Sequence, residues 1–486
     1  MKKMKFKYFG IALLLTGMLS CNKESLEPVP TTSISDLTAF DTKSRIEGQV
    51  RAIYAASKNS GLYGGRYQIF NDIRGGDFMN EKTNVVTGFD VWNYTPSNSS
   101  TNSVMNHWAQ SYFVINLANV FIDGMAAKGT SVVGDDLSKN YLGEARFLRA
   151  AVYYSLLQLY ARPYWDGNGS KPGVPLRLKG NTGSGDYAIA RNTVAEVYDQ
   201  IIADLDFAEQ NLPLKYTTAI LNTTRAHRNT AIAFKTRVYL SMRKYAEVVT
   251  EANKIVSASA PFKASTGVPH ALEPDYTNLF KPPYTSVESI FSMPFASNEA
   301  PGTQNQLGYY YGPGALNGGN GEYSLLPTGI IANADWSATD KRRSFIFVSG
   351  GKSWLSKYPT GGLFTDFAPV IRYAEVLLNL AEARVRTTNS VDAQAIDLLN
   401  AVRGRSDAAK VFAAADFATP DDLINAILIE RRIELLGEGL AGTDITRLGF
   451  DLPAKPGVNS IPSTGQQYIW PISANELLLN PLMTDN

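Results

Sequence analysis

The chain has 486 residues, with Lys+Arg at 46 against Asp+Glu at 45 and a formal net charge of +1. That balance gives no electrostatic footprint for nucleic acid, and 44% hydrophobic residues supply a large core, which excludes a disordered chain. The single cysteine, Cys21, excludes an intrachain disulfide and a cysteine-rich metal site, while 11% aromatics suits surfaces that stack rings on flat ligands.

In chain order, the first element is an address. Lys2, Lys3, Lys5 and Lys7 precede an apolar stretch from Phe9 to Leu19, and small Ser20 stands before Cys21. These are the three regions of a secretory signal, and the apolar stretch is about half of the roughly 20 residues that span a bilayer. Met18-Leu19-Ser20-Cys21 resembles the lipobox of bacterial lipoproteins. That likeness implies removal of residues 1–20 and diacylation of Cys21, which would anchor the chain by lipid alone. Residues 21–34, with Glu24, Glu27, Pro28 and Pro30, read as a polar tether.

Residues 35–486 read as one domain of two textures. Apolar residues at three-to-four spacing predict helices over 36–57, 106–125, 141–160, 193–210, 229–257, 367–387, 391–403 and 420–436. Thr193 ahead of Glu196, and Thr419-Pro420 ahead of Asp421-Asp422, are helix-start signals. Within 229–257, Ala231, Ala233, Tyr239-Leu240, Tyr245-Ala246 and Ala252 carry the spacing of a tetratricopeptide-like hairpin. The stretches about 60–105 and 258–366 are rich in Gly, Pro, Asn, Ser and Tyr, and predict ligand-facing loops with some short strands. They are displayed by a helical scaffold over about 35–60, 106–257 and 367–450. The predicted fold class is mainly α: a tetratricopeptide-like helical hairpin scaffold with long loop-rich insertions and a few short strands.

Catalytic signatures are missing. His107, His227 and His270 are far apart, and neither a His-Glu-x-x-His nor a Gly-x-Ser-x-Gly pattern occurs. Gly350-Gly351-Lys352-Ser353 lacks the upstream glycine of a phosphate loop, where Ile346 stands. Asp166-Gly167-Asn168-Gly169-Ser170 lacks the glycine and the bidentate glutamate of a calcium loop, with Lys171 and Arg177 at those positions. Hence no enzyme activity, cofactor or metal is expected. A flat ligand with polar edges calls for aromatic platforms beside polar groups. Two loop clusters offer both: Arg74, Asp77, Trp92, Asn93 and Tyr94 in the first, and Tyr309, Tyr310, Tyr311 and Trp336 in the second. These are the candidate ligand-binding residues.

Five separated segments, in order, resemble the SusD/RagB family of Bacteroidetes outer-membrane nutrient-binding lipoproteins. They are Gly143-Glu144-Ala145-Arg146-Phe147-Leu148-Arg149-Ala150, Glu196-Val197-Tyr198 through Leu212-Pro213, and Arg372-Tyr373-Ala374-Glu375-Val376-Leu377-Leu378. Glu430-Arg431-Arg432-Ile433-Glu434-Leu435 with Glu438-Gly439 and Asp444-Ile445-Thr446-Arg447 is the fourth, and Trp470-Pro471-Ile472 with Asn480-Pro481 the fifth. Leu440-Ala441-Gly442-Thr443 departs from the pattern, because the family usually carries an Arg-Trp pair there. The Glu/Arg motifs themselves read as structural, since intrahelical pairs add only about 0.2–0.5 kcal/mol each. The resemblance implies a SusD-like protein at the outer membrane, facing the cell exterior. There it would hold an oligosaccharide and deliver it to a partner SusC-like TonB-dependent transporter. A surface glycoside hydrolase and a helical-repeat adaptor without small ligand are the alternatives.

Overall fold

The computed structural model describes residues 38–298 and 307–486; the leader, Cys21 and the tether lie outside the described residues. The scaffold begins with α1 (Lys43–Ser57) and the short α2 (Arg66–Ile73), followed by α3 (Asn106–Gly124), α4 (Asp135–Tyr160) and α5 (Val194–Asn211). The hairpin α6 (Arg228–Ser241) and α7 (Tyr245–Ala252) comes next, and then α8 (Tyr373–Thr388), α9 (Ala393–Ser406), α10 (Pro420–Glu434) and α11 (Ala441–Leu448). Consecutive members pack in a chain of pairs: α1 on α3, α3 on α4, α4 on α5, α5 on α6, α6 on α7, α7 on α8, and α8 on both α9 and α10. This is a stacked helical-hairpin array in which each unit buries its apolar face on the next.

The starts follow from local chemistry. Thr193 and Thr419 each accept from the N3 backbone N–H while Glu196 and Asp422 reach back, forming capping boxes, and Pro420 occupies the first turn of α10. Gly449, in the left-handed region at φ 73°, ends α11.

Strands are few and short. β1 (Phe78–Asn80), β3 (Tyr323–Leu325), β4 (Ile346–Ser349) and β5 (Lys352–Leu355) form an antiparallel sheet in the order β1-β3-β5-β4. β2 (Ser289–Met293) pairs antiparallel with β6 (Ala368–Arg372). One boundary differs from expectation and one hairpin turn is where its spacing requires it. Residues 368–372 are a buried strand that leads into α8, and 229–257 breaks at Met242 to Lys244, with Arg243 at φ 57° making the turn. Helix α2 falls in a stretch expected to be loop, because its eight residues are too few to set up a readable period.

The Glu/Arg motifs meet between elements, inside the core. Arg372 reaches Glu288 on the approach to β2, Glu434 on α10 at 3.0 Å, and Glu438 at 2.7 Å. Arg342 joins Asp340 at 2.6 Å to Glu434 at 3.0 Å and also to Glu430, while Arg405 of α9 contacts Glu288 and Glu434. All of these side chains are buried, so the network ties the loop-rich insertion to the scaffold. Removing one partner of such a buried set costs about 3–5 kcal/mol, because the other charges are left uncompensated.

Candidate functional site

The segments that converge on one surface cavity are α10, α11, the turn after α2 and the loop after α11. The cavity measures about 390 Å³. Gly75, Gly76 and Asp77 supply one wall, Asn425, Leu428, Ile429 and Arg432 a second, and Ala441, Ile445 and Leu448 a third; Phe450, Asp451 and Pro453 close the rim. On α10 the spacing i, i+3, i+4, i+7 turns these four residues to the cavity. Residues 441, 445 and 448 do the same on α11. Phe450 is 54% exposed at the mouth.

Small residues let the walls approach. A Cβ at Gly442 would lie 2.6 Å from Asn71 O, and one at Gly439 (φ +85°) would lie 2.4 Å from Gln68 Cα, so α2 presses directly on the start of α11. Asp72 secures this junction: its carboxylate accepts from Gly439 N–H at 2.9 Å and Ala441 N–H at 3.3 Å. Burial pushes Asp72 up to about 7 despite those two donors.

The carboxylates of the walls are held by arginines. Asp77 accepts from Arg432 at 2.7 Å and from Ile330 N–H at 2.7 Å. Burial alone would raise Asp444, but Arg431 at 3.0 Å and Arg447 at 2.7 Å outweigh it and hold the carboxyl below the usual range. Asp444 therefore stays ionised and has no proton to give a leaving group. Arg447 also pairs with Glu382 at 2.7 Å.

The first predicted cluster sits at and behind this cavity. Asp77 lines it directly. Arg74 is buried, donating to Tyr468 O at 2.7 Å and to Gln158 O at 3.4 Å. Trp92, 4% exposed, donates its indole N–H to Phe78 O at 2.9 Å. Tyr94 is also buried, with its hydroxyl 2.9 Å from both Arg74 O and Pro453 O, so it props the rim from inside. Lys455 covers both rings, its ammonium 5.0 Å from the Trp92 centroid and 3.8 Å from that of Tyr94. Only Asn93 of this loop turn keeps partial exposure.

The second cluster is placed elsewhere, and its expected role as a set of open stacking platforms is corrected by burial. Tyr310 and Tyr311 have 0% exposure: Tyr310 accepts from Arg66 at 3.2 Å and stacks on Tyr323, and Tyr311 stacks on Phe78 with centroids 4.9 Å apart. Trp336 is buried beneath the Arg343 guanidinium, 4.8 Å from its centroid. Tyr309 is half-buried against Phe364. A ring without a free face cannot stack on a ligand, so Trp92, Tyr94, Tyr310, Tyr311 and Trp336 are packing residues here, as is the buried Arg74.

Sequence reasoning missed Asn425, Leu428, Ile429, Ala441, Ile445, Leu448 and Phe450. Two signals were available: the departure at Ala441-Gly442 itself, which places the small Ala441 on a cavity wall, and a second apolar stripe on α10 beyond the one its core face needs.

A second depression of about 540 Å³ lies between α1 and the helix Ala219–Thr224, lined by Glu47, Arg51, Tyr54 and Arg225. Its charges are paired, Arg51 with Glu47 and Arg225 with Glu144, and it includes no residue of the predicted clusters. Among the described residues no helix is long and apolar enough to cross a membrane.

Comparison with known proteins agrees with this architecture. A family model described as "Starch-binding associating with outer membrane" matches residues 27–240, and the SusD family model matches residues 355–486. SusD-like protein P2 of Formosa agariphila is 25% identical, with 99% of each chain covered. A surface glycan-binding protein A from Bacteroides uniformis shares the fold at a TM-score of 0.73 and 22% identity, over 92% of this chain and 99% of that one. A SusD superfamily protein from Bacteroides fragilis superposes at a TM-score of 0.82 with 32% identity, over 92% of this chain and 100% of that one. With two family models matched along the chain and a SusD superfamily protein 32% identical over 92% of it, the chain belongs to the SusD/RagB family.

Proposed function

We propose that the protein captures oligosaccharide at the outer face of the outer membrane and delivers it to a SusC-like TonB-dependent transporter, without cutting it. The observation that carries the binding step is the open cavity between α10 and α11, with an exposed ring at its mouth and polar groups along its edge. Sugar contact is assigned to Phe450, Arg432, Asn425 and Asp451 at the cavity; of the predicted loop residues, Asn93 and Tyr309 retain exposed surface but do not line it. Non-cleavage is supported by Asp444, ionised between two arginines, and by Asp77, whose Oδ1 already takes two donors. Lipobox-like Cys21 and the family description support the location. Incubation with a glycan panel tests the proposal: retention without new reducing ends is expected. New reducing ends would make it a hydrolase, and no retention across the panel would favour the adaptor alternative. Co-purification with a TonB-dependent transporter tests the delivery step.

A further inference from the structure

The chemistry of the cavity wall narrows the ligand, and this inference rests on the glycan proposal. Sugar rings are gripped by flat aromatic faces. Here Phe450 is the single aromatic ring among the lining residues, and it stands at the mouth; the interior is aliphatic, made by Leu428, Ile429, Ile445 and Leu448. The buried polar groups beside it are already engaged, Asp77 by Arg432 and the Ile330 N–H, Asp444 by Arg431 and Arg447. A bare hexose pushed into that interior would bury hydroxyls with no partner, each costing about 1–3 kcal/mol. An aliphatic group would lose nothing and gain contact. The volume, about 390 Å³, lies near the low end of the roughly 300–1,000 Å³ of small-ligand sites, so it admits one residue with its substituent and not a chain.

We infer that the cavity is a subsite for a methyl-terminated substituent on a saccharide, either the C6 methyl of a 6-deoxy sugar or the methyl of an acetyl group. The sugar ring lies over Phe450, and its hydroxyls meet Asn425, Asp451 and the outer edge of Arg432, all exposed. Ala441 sets the room available: it faces the cavity from the start of α11, where a larger side chain would occupy the space.

Matched pairs of oligosaccharides test this by titration calorimetry: a 6-deoxyhexose oligomer against its parent hexose oligomer, and an acetylated oligomer against its deacetylated form. In at least one pair the methyl-bearing member should bind about tenfold or more tightly, and the responding pair identifies the substituent. Ala441→Leu, which fills the cavity, should erase that preference. Because a Cβ at Gly75 would already lie 3.1 Å from the Ala441 Cβ, filling could disturb the α2 junction, so Leu448→Asn, which makes the wall polar at a half-buried position, serves as the second variant. Thermal melting checks that each variant is folded. Equal binding within both pairs would overturn the subsite while leaving glycan capture standing, whereas failure to bind any oligosaccharide would overturn both. A preference that survives in a folded variant would place it outside this cavity and also overturn the inference.

Discussion

Replacing Trp92 by alanine separates packing from ligand contact. The indole is 4% exposed, donates to Phe78 O at 2.9 Å and lies 5.0 Å from the Lys455 ammonium. Truncating a buried Trp costs about 3–5 kcal/mol through lost transfer energy and the space left behind. An orphaned Phe78 carbonyl adds about 1 kcal/mol where water does not reach it. With about 440 folded residues at roughly 2.1 cal/mol/K each, the unfolding entropy is about 0.9 kcal/mol/K, so a loss of about 4 kcal/mol lowers Tm by only about 4–5 °C. Denaturant titration reads the free energy, and scanning calorimetry reads the shift. The control is Phe450→Ala, where a ring 54% exposed is removed: Tm should stay within about 1 °C while affinity for the captured saccharide falls about fivefold or more. If Trp92→Ala melts with the wild type and loses binding, while Phe450→Ala binds normally, then assigning roles from burial is wrong for both rings.

Arg372→Met should lower stability by about 3–5 kcal/mol, since Glu288, Glu434 and Glu438 lose their shared guanidinium; an unchanged urea midpoint would show that the network does not hold the insertion to the scaffold. Stability should also peak at about pH 5. Burial raises Asp72 to about 7, so its contribution is complete below its ordinary value of 3.8 and is lost as pH rises through 7. Burial of Glu382 and Glu434 is outweighed by Arg447 for the first and by Arg405, Arg372 and Arg342 for the second, which hold both at about 2. Their contributions are present above 4.5 and are lost as pH falls toward 2. Denaturation free energies measured across this range check the shape, and Asp72→Asn should flatten the decline toward neutral pH. Cys21→Ala should move the protein from the membrane fraction to the soluble fraction; continued sedimentation with outer membrane, with no labelled lipid on the wild type, would refute the anchor.

The long helices were legible because their apolar period repeats through several turns, and the capping residues at Thr193 and Thr419 sit where expected. The rings in the loops were not legible as packing residues, because what buries them comes from far along the chain. Lys455 reaches Trp92 O across 363 residues, and Tyr94 meets the Pro453 carbonyl across 359. Nothing near Trp92 in sequence announces that cover. The same distance hid the cavity, whose walls are drawn from residues 75–77 and 425–453.

The motif helices also explain why the site escaped notice, because each has two working faces. On α10, Ile427, Glu430, Arg431 and Glu434 are buried, with the three charged side chains turned into the ion-pair core, while Asn425, Leu428, Ile429 and Arg432 look out into the cavity. On α11, Arg447 points inward to Glu382 and meets Asp444, while Ala441, Ile445 and Leu448 form the outer stripe. The buried charged residues of these motifs are thus consumed in holding the helices at a fixed spacing. Those interleaved with them are free to vary without unfolding the scaffold, because they face an open cavity and not the core. Under the proposed function, substitutions at positions 428, 445 and 448 should alter ligand preference at little cost in stability, whereas replacing Arg431 or Arg447 on the opposite faces of the same helices would remove a buried ion pair.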